Sequence, residues 1–326
     1  MGPMEKSAEK PYIVEISDER AGQRIDNFLV THLKGVPKSR VYRLLRKGEV
    51  RVNKGRIKPD YRLKAGDHVR IPPVRVTNKE DQLLSSPSKS ILSAIESSII
   101  YQDKSLLVIN KPAGIAVHGG SGIQHGVIET LRALFPSEQH LELVHRLDRD
   151  TSGCLLIARK RSMLKKLHEQ LRNNDIRKCY VALVKGRWTG GKQTIDAPLR
   201  KNTLKSGERI VRVDPEGKSA QSIFKPIKCY ANSTLMEVEL ITGRTHQIRV
   251  HATHAGHPIA GDEKYGQRGF NLSMKEFGLN RLFLHAKSLT FSLTDSDDMI
   301  TVVAPLGNVL EQVLRNCENE ITLTKT

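Results

Sequence analysis

The stretch VPKSRVYRLLRKGEVRVNKGRIK, residues 36–58, decides the fold of the N-terminal part of the chain. Val41, Leu44 and Leu45 recur at helical spacing, so they predict a helix with one apolar face that ends at Gly48. Residues 49–52 alternate like a strand, and residues 53–55 have the composition of a tight turn. We therefore expect a short helix followed directly by a strand.

The residues on either side of this stretch complete a small module. Upstream, Ile25, Phe28, Leu29 and Leu33 fall on one face of another helix. Downstream, residues 64–67 predict a turn and residues 68–71 a further strand. Two short helices and two strands that bury their apolar faces together make a compact α+β module.

Positive charge is concentrated in the same module. The chain has 53 Lys and Arg against 35 Asp and Glu, which gives a net charge of +18 and a pI of about 9.8. Residues 22–76 hold 15 basic and 4 acidic residues, so +11 of that charge lies in about a sixth of the chain. Arg40, Arg43 and Lys47 recur on the helix face opposite the apolar one. Charge patterning alone allows an ordinary solvated surface, but this concentration favours nucleic acid as the partner.

The segments AGQRIDNFL, VPKSRVYRLLRKGEVRVNKGRIK and LKAGDHVRI together resemble an S4 domain. In that family the second helix and the adjacent turn bind structured RNA. The resemblance therefore implies an RNA-binding surface made of basic side chains from these two elements. The residues concerned are Lys38, Arg40, Arg43, Lys47, Lys54 and Arg56.

Length and composition indicate a two-domain globular protein. At 326 residues the chain exceeds the usual size of one domain. No run approaches the roughly 18 to 20 apolar residues that a membrane span requires. The N-terminal segment is polar and lacks the apolar centre of a secretory signal, so we expect a cytoplasmic protein, and a monomer. The four cysteines form no CxxC pair, which argues against both a zinc site and a disulfide framework.

We predict four segments along the chain. Residues 1–20 form an N-terminal tail and residues 21–76 form the S4 module. Residues 77–95 form a linker, because Pro72 and Pro73 close the module and a polar, Ser-rich stretch follows. Residues 96–326 form a larger domain in which apolar strands alternate with helical stretches, so its predicted class is strand-rich α+β.

The segment HRLDRDTSG, residues 145–153, concentrates ionisable side chains before the apolar run CLLIA. Arginines beside a carboxylate favour its ionised form, which a nucleophile or general base must have. The residues alone do not choose between Asp148 and Asp150, and a salt-bridged turn without catalytic function is an equal alternative.

HRLDRDTSG closely resembles the signature of the RluA family of RNA pseudouridine synthases. The resemblance implies that Asp148 is the catalytic aspartate and that Arg146 enters the RNA stack when the target base leaves it. We expect the neighbouring His145 and Arg149 to bind substrate as well.

Further segments resemble the same family. RKCYVALV, residues 177–184, matches a strand whose tyrosine lies against the target uracil, which implies that role for Tyr180; a buried core tyrosine is the alternative. GRTHQIRVHATHAGHPIAGD, residues 243–262, matches a signature whose arginine pairs with the catalytic aspartate, and we assign that arginine to Arg244. We expect a helix over residues 245–255, with Thr245 as its N-cap and Gly256 as its stop.

The segments NKPAGIAVHGGSG and RLFLHA, residues 110–122 and 281–286, complete the resemblance, which covers residues 21–71 and 104–305. The HGGSG loop, RVNKGRIKPDYRL and SGERIVRV are similar in particular to a subgroup that modifies several sites in large-subunit ribosomal RNA. Other members of the family modify transfer RNA. The resemblance thus implies ribosomal RNA as the partner.

No cofactor is expected. His251, His254 and His257 are spaced by three residues, but the spacing recurs in RluA-family members that use no metal, and there is no HExxH arrangement. Two other functions stay open on the residues alone. One is a non-catalytic S4-containing ribosome assembly factor, and the other is a Mg²⁺-dependent nuclease that uses Asp148 and Asp150.

Overall fold

The computed structural model describes residues 11–33, 36, 38–74, 87–119, 125–203, 209–293 and 298–323. The chain divides into two compact units, Met1–Ser86 and Pro87–Thr326, which we call the small domain and the catalytic-site domain. The first ten residues of the predicted tail and residues 77–86 of the predicted linker lie outside the described residues, so those parts of the prediction stay untested.

The small domain packs two helices on a three-stranded antiparallel sheet. Its elements are α1 (Ile25–His32), α2 (Lys38–Lys47), β1 (Tyr12–Glu15), β2 (Arg51–Val52) and β3 (His68–Ile71), and the strand order is β1-β3-β2. The apolar faces predicted for both helices are buried in one core, where Phe28 and Val41 are fully inaccessible to solvent. The helix–strand prediction for this region is therefore confirmed.

Two elements lie where the sequence analysis placed a tail and a linker. β1 falls in the predicted tail, yet it pairs with β3 over four residues, from Tyr12 opposite Ile71 to Glu15 opposite His68, so it belongs to the small domain. A helix, α3 (Lys89–Glu96), falls in the predicted linker; the Ser88 side chain caps it and Ile95 is fully buried. Both corrections have one reason, since short polar elements that gain their stability from tertiary pairing carry a weak pattern in sequence.

The catalytic-site domain is built on a ten-stranded mixed sheet. Its other helices are α4 (Val127–Leu134), α5 (Arg161–Asn173), α6 (Gln247–His254), α7 (Arg268–Glu276) and α8 (Asn308–Leu323). Its strands are β4 (Ile99–Gln102), β5 (Leu106–Lys111), β6 (Glu142–Leu143), β7 (Ser152–Ala158), β8 (Arg177–Lys185), β9 (Gln193–Asp196), β10 (Leu199–Thr203), β11 (Arg209–Val213), β12 (Gln221–Cys229), β13 (Ser233–Leu240), β14 (Leu284–Ser292) and β15 (Met299–Val303).

The sheet runs in the order β4-β5-β7-β14-β8-β13-β12-β9, with β15 added to β14 and β6 added to β7. The pair β7–β14 is parallel, and β10 and β11 form a separate antiparallel hairpin. The predicted α+β class is confirmed. Among the described residues, no helix has both the length and the apolarity that crossing a bilayer requires.

Alternate residues of the central strands supply two cores, one on each face of the sheet. Leu107, Leu155 and Tyr180 belong to the core that α4 and α6 cover. Leu106 and Leu156 point to the opposite face, where α5 packs. This alternation explains why the strands read as continuous apolar runs in sequence, since both faces of the sheet are buried.

Gly153 permits the close parallel contact of β7 with β14. Its φ is +108°, and a Cβ placed there would lie 2.2 Å from the carbonyl oxygen of Ala286. A side chain at this position would push the two strands apart. The turn that enters β7, residues 148–151, is thereby held close to the end of β14.

Candidate active site

Asp148 lies in the turn between β6 and β7, and the Thr151 N–H closes that turn by donating to the Asp148 carbonyl oxygen. The Asp148 side chain is 19% exposed. Among the described residues, its carboxylate accepts no hydrogen bond; the nearest cationic or potentially cationic atoms are Arg249 Nη1 at 3.6 Å and His246 Nε2 at 3.8 Å, both from Oδ2. The carboxylate is therefore held by charge and remains open to another molecule.

A buried lysine holds the turn of residues 148–151 through hydrogen bonds to backbone carbonyl oxygens. Lys111, at the end of β5, is fully inaccessible, and its Nζ donates to the carbonyl oxygens of Pro112, Ile115 and Arg149 at 2.8, 2.8 and 2.9 Å. Burial, with a smaller contribution from the Arg281 charge, lowers the pKa of Lys111 to about 7. Three carbonyl acceptors require three N–H donors, which the ammonium form supplies. Lys111 thus ties the segment after β5 to the residue that follows Asp148.

Arg249 is the arginine that faces Asp148. Its side chain is 8% exposed, and its Nε and Nη2 donate to Asp262 Oδ2 and Oδ1 at 2.7 and 2.8 Å. The same guanidinium lies over the ring of Tyr265, 5.0 Å from its centre. Burial would raise the pKa of Asp262, but the Arg249 hydrogen bonds and charge, together with the N–H groups of Lys264 and Tyr265, lower it. Asp262 is therefore an anchor that aims Arg249 at Asp148.

The assignment of Arg244 as the partner of Asp148 is wrong in this structure. Arg244 lines the same cavity, but it is exposed and its Nε donates to the Ser219 carbonyl oxygen at 3.0 Å. The pairing predicted for it belongs to Arg249, which lies in the same sequence signature five positions later.

The start of α6 explains this difference. The helix begins at Gln247, two residues after the predicted start, and its N-cap is His246 with a left-handed φ of 55°, so the Thr245 cap is also wrong. The Gln247 side chain accepts from the Arg244 N–H at 2.9 Å and donates to the Gln221 carbonyl oxygen at 2.9 Å. These bonds fix the loop before the helix and leave Arg249 in the first turn, facing the cleft.

A cavity of about 510 Å³ opens beside Asp148. Tyr180, on β8, lines it and is 7% exposed. Burial and the Asp148 charge raise the pKa of the Tyr180 hydroxyl, which therefore stays protonated. The structure thus brings Asp148, Tyr180 and Arg244 to one cavity. A cavity of this size, walled by an aromatic ring, can hold a nucleoside.

Arg146 and Leu147 line both this cavity and a second, larger one of about 1630 Å³, as do Asp148, His246 and Arg249. The Arg146 side chain is exposed at the junction of the two. We call the larger cavity the basic groove, because its walls carry several cations. They include Arg149, Lys264, Arg268, Lys275 and Arg281.

The two remaining residues predicted to bind substrate lie differently. The exposed Arg149 side chain pairs with Asp150 (Nε to Oδ1, 3.1 Å) at the edge of the basic groove. His145 lines the smaller cavity, but its Nε2 accepts from the Leu156 N–H at 3.1 Å, which anchors the ring to β7. Burial, with the charge of Lys178, lowers the pKa of His145 to about 4, so the ring is neutral at physiological pH.

The residues of the site that the sequence analysis missed are Lys111, Lys178, His246, Arg249, Asp262 and Tyr265. All but Tyr265 lie within segments quoted for the family resemblance, so their neighbourhood was known but not their contacts. Tyr265 gives no signal in sequence, because its contacts join residues 211, 246 and 249 in space.

The histidines considered as metal ligands have other contacts. His251 is buried; its Nδ1 meets Ser222 Oγ and its Nε2 meets the Ala197 carbonyl oxygen, both at 3.0 Å. His257 Nδ1 lies 2.8 Å from the Lys185 carbonyl oxygen. Within the described part of the chain, no group of three or more His, Cys, Asp or Glu side chains is placed to hold a metal ion.

The small domain presents the predicted basic surface in part. Arg43 and Lys47 on α2 and Lys54 and Arg56 in and after the turn are exposed, whereas Arg40 is half-buried. The Arg56 side chain crosses Gly48, where a Cβ would lie 2.6 Å from its Nε, so the segment after the turn reaches the end of α2. The side chain of Lys38 lies outside the described residues.

Comparison with known proteins agrees with both domains. Residues 105–254 match the family described as RNA pseudouridylate synthase, and residues 23–69 match the S4 domain. The ribosomal large subunit pseudouridine synthase C of Salmonella typhimurium is 57% identical over 311 residues, which cover 94% of this chain and 97% of the relative. The protein of the same name from Escherichia coli K12 is 56% identical over 309 residues, with coverage of 94% and 97%.

Two solved human structures share the fold over about two thirds of the chain or slightly more. Human RNA pseudouridylate synthase domain containing 4 is 26% identical with a TM-score of 0.59, over 70% of this chain and 96% of the human chain. Human RNA pseudouridylate synthase domain containing 1 is 25% identical with a TM-score of 0.55, over 68% and 86%. The chain belongs to the family of RNA pseudouridine synthases, which are isomerases, and it carries an S4 domain. The predicted family, enzyme class and S4 domain are confirmed.

Proposed function

We propose that this enzyme converts uridine to pseudouridine in large-subunit ribosomal RNA, in the cytoplasm and as a monomer. The relatives named for that RNA match 94% of the chain, including the S4 domain. The observation that carries the proposal is the Asp148 carboxylate, which stands where two cavities meet, faces Arg249 and is not saturated by hydrogen bonds within the described residues.

The reaction breaks the bond between ribose C1′ and uracil N1 and joins C1′ to C5, with the proton of C5 lost and N1 protonated. No atom enters from outside, so the chemistry needs no cofactor. A uridine stacked in RNA is out of reach of a carboxylate, so the nucleotide must leave the stack. Arg146, exposed at the junction of the cavities, is placed to take the position of the base, as the family resemblance implies.

Each of the two cavities binds a different part of the RNA substrate. The smaller one takes the flipped nucleoside against Tyr180, and Asp148 assists cleavage of the glycosidic bond there. The basic groove takes the flanking RNA, because Arg268 and Lys275 lie on the same face of α7, about two turns apart, and their charges suit phosphates. On the S4 domain, Arg43, Lys47, Lys54 and Arg56 supply further phosphate contacts, and the sequence predicts the same role for Lys38 and Arg40.

The test is pseudouridine mapping on unmodified large-subunit ribosomal RNA incubated with the purified enzyme. We expect pseudouridine at discrete positions, formed equally well in excess EDTA. Asp148→Asn should bind RNA and form none, whereas Asp150→Asn should remain active. Turnover by Asp148→Asn would overturn the catalytic assignment, and modification of transfer RNA instead of ribosomal RNA would overturn the substrate. RNA binding without isomerisation by the parent enzyme would favour an assembly factor, and strand cleavage that EDTA stops would favour a nuclease.

A further inference from the structure

His246 has a backbone conformation that few side chains adopt. Its φ is 55°, and the other non-glycine residues with positive φ in the described chain, Asn53, Lys54 and Asn174, lie in turns or at a helix end. Non-glycine residues are uncommon in this region, although histidine enters it more readily than most, and such residues persist where the surroundings hold them. The conformation at His246 places its ring between Asp148 and Tyr265.

The hydrogen-bond partners of Tyr265 favour one position for the proton on that ring. The Val211 backbone N–H can only donate, so the Tyr265 hydroxyl oxygen accepts from it at 3.0 Å. The hydroxyl lies 2.7 Å from His246 Nδ1, and because its oxygen already accepts from Val211, we infer that it donates its own proton to Nδ1. Nδ1 is then unprotonated, and the neutral imidazole carries its hydrogen on Nε2. That nitrogen lies 3.8 Å from Asp148 Oδ2.

The charge of Asp148 favours the same tautomer. In the other neutral form, the lone pair of Nε2 would face the carboxylate, and the two would repel each other. Burial lowers the pKa of His246, and the charges of Arg249 and Lys264 lower it further against the opposing effect of Asp148 and Asp262. The neutral ring is thus favoured, and two independent constraints give it one orientation of its N–H group.

We propose that His246 is a positioning residue for the isomerisation, which Tyr265 and Val211 hold in its Nε2–H form so that a neutral donor faces Asp148. This inference rests on the proposed catalytic role of Asp148. A neutral donor at 3.8 Å supports the negative charge without a second ion pair, and it leaves the lone pairs of the carboxylate free for the substrate. Arg249, held by Asp262, supplies the full positive charge from the other side.

The arrangement also joins the β10–β11 hairpin to the cleft. Val211 lies on β11 opposite Lys201, and its N–H points away from β10 toward Tyr265. The orientation of the His246 ring therefore depends on the seating of this hairpin.

The direct test is the tautomer itself, read by long-range ¹H–¹⁵N correlation of histidine-labelled enzyme at neutral pH. We expect His246 to show a protonated Nε2 and an unprotonated Nδ1, and Tyr265→Phe to lose that preference. A protonated Nδ1, or an imidazolium, in the parent enzyme would overturn the inference. The groups that face the ring and must be considered in any titration are Asp148, Arg249, Asp262, Lys264 and Tyr265.

Kinetics give a second, independent test. We expect His246→Ala to lower kcat about 10-fold to 30-fold with KM nearly unchanged, because it removes a donor that acts through Asp148. His246→Gln, whose amide N–H reaches a similar position, should recover most of that loss. Tyr265→Phe should cost about 3-fold to 10-fold, and the double variant should be no slower than His246→Ala, since Tyr265 acts through His246.

Tyr101→Phe is the matched control. Tyr101 lies on β4, outside both cavities; the change removes a phenol hydroxyl that donates to Asp103 at 2.8 Å and should leave kcat unchanged. Additive losses at His246 and Tyr265, or a KM effect alone, would overturn the inference. If His246→Ala keeps full kcat while Asp148→Asn is inactive, only this inference falls; turnover by Asp148→Asn would instead remove the proposed function on which it rests.

Discussion

Asp26 in the S4 domain and Asp148 in the catalytic-site domain both lie beside an arginine, yet their surroundings differ. The Asp26 carboxylate accepts four hydrogen bonds, two from Arg24, one from Tyr42 and one from the Asn27 N–H, at 2.7 to 3.1 Å. Asp148 accepts none within the described residues, although two donors stand 3.6 and 3.8 Å away. The protein fills the acceptor positions of the Asp26 carboxylate, whereas the acceptor positions of Asp148 stay open to a substrate.

The same contrast exists within the cleft. Asp262, like Asp26, accepts four hydrogen bonds, two from Arg249 and two from the N–H groups of Lys264 and Tyr265. Asp148 and Asp262 share Arg249, so the two carboxylates can be compared with one cation in common. The comparison separates Asp262, which holds Arg249 in place, from Asp148, to which we assign the reaction.

The largest effect should come from exchanging these two carboxylates for amides. Asp148→Asn should lower kcat by more than about 10³-fold and change the free energy of unfolding by less than about 1 kcal/mol, because its side chain makes no hydrogen bond to the described residues. Asp262→Asn should destabilise the protein by about 3 kcal/mol, since it leaves the Arg249 charge buried and without its partner. Single-turnover kinetics and urea unfolding measure both; equal destabilisation by the two changes would contradict the comparison.

The two arginines of the cavity provide the next test. Arg249→Met should lower kcat about 10²-fold, because Asp148 and Asp262 both lose their cation. Arg244→Met should act mainly on KM, by less than about 10-fold, because its Nε is bound to the Ser219 carbonyl oxygen and its side chain is exposed. Steady-state kinetics on a ribosomal RNA fragment decide between them. A larger kcat effect at Arg244 would restore the pairing that the sequence predicted.

His145 already accepts a hydrogen bond from the Leu156 N–H, so we expect it to contribute to stability. Its pKa is about 4 in the folded state, below the usual value of 6.5, so the stability from the neutral ring is present above pH 6.5 and is lost as the pH falls to 4. We expect about 2 to 3 kcal/mol of unfolding free energy to be lost over that range.

The glutamine variant isolates this contribution. His145→Gln keeps an acceptor for the Leu156 N–H and removes the titration, so its stability should fall less with acid. Denaturant unfolding at several pH values measures the difference, and His140→Gln, at an exposed histidine, is the control. Identical pH profiles for His145→Gln and the parent would show that His145 is not held neutral.

The smallest effects should arise at the exposed cations of the S4 domain. Arg43→Ala and Lys47→Ala should each weaken RNA binding a few-fold and reduce the slope of log K against log salt by roughly 0.7 to 0.9. kcat at saturating RNA should not change. Arg315→Ala, which removes an exposed cation paired with Glu311 on α8, is the control and should leave the slope unaltered. Unchanged slopes for Arg43 and Lys47 would mean that these cations do not contact phosphates.

Sequence reasoning predicted the helices, the strands and the position of Asp148, but it did not predict the hydrogen bonds and ion pairs of the cleft. The helices of the S4 domain and the central strands follow from apolar spacing, which the fold obeys closely. The choice of Arg244 over Arg249 failed because both arginines lie in the same signature, and the resemblance did not show which of them faces Asp148. The Gln247 side chain fixes the loop that carries Arg244, and its partner Gln221 is distant in sequence.

Lys111 has a consequence for chemical labelling of the protein. An acylating reagent reacts with the unprotonated form of an amine, and burial, which lowers the pKa of Lys111 to about 7, also keeps the reagent away from it. In the folded chain no part of it is accessible, and three carbonyl oxygens surround its nitrogen. Acylation of Lys111 therefore requires the segment next to Asp148 to open. The rate of labelling of Lys111 thus measures how often this segment opens.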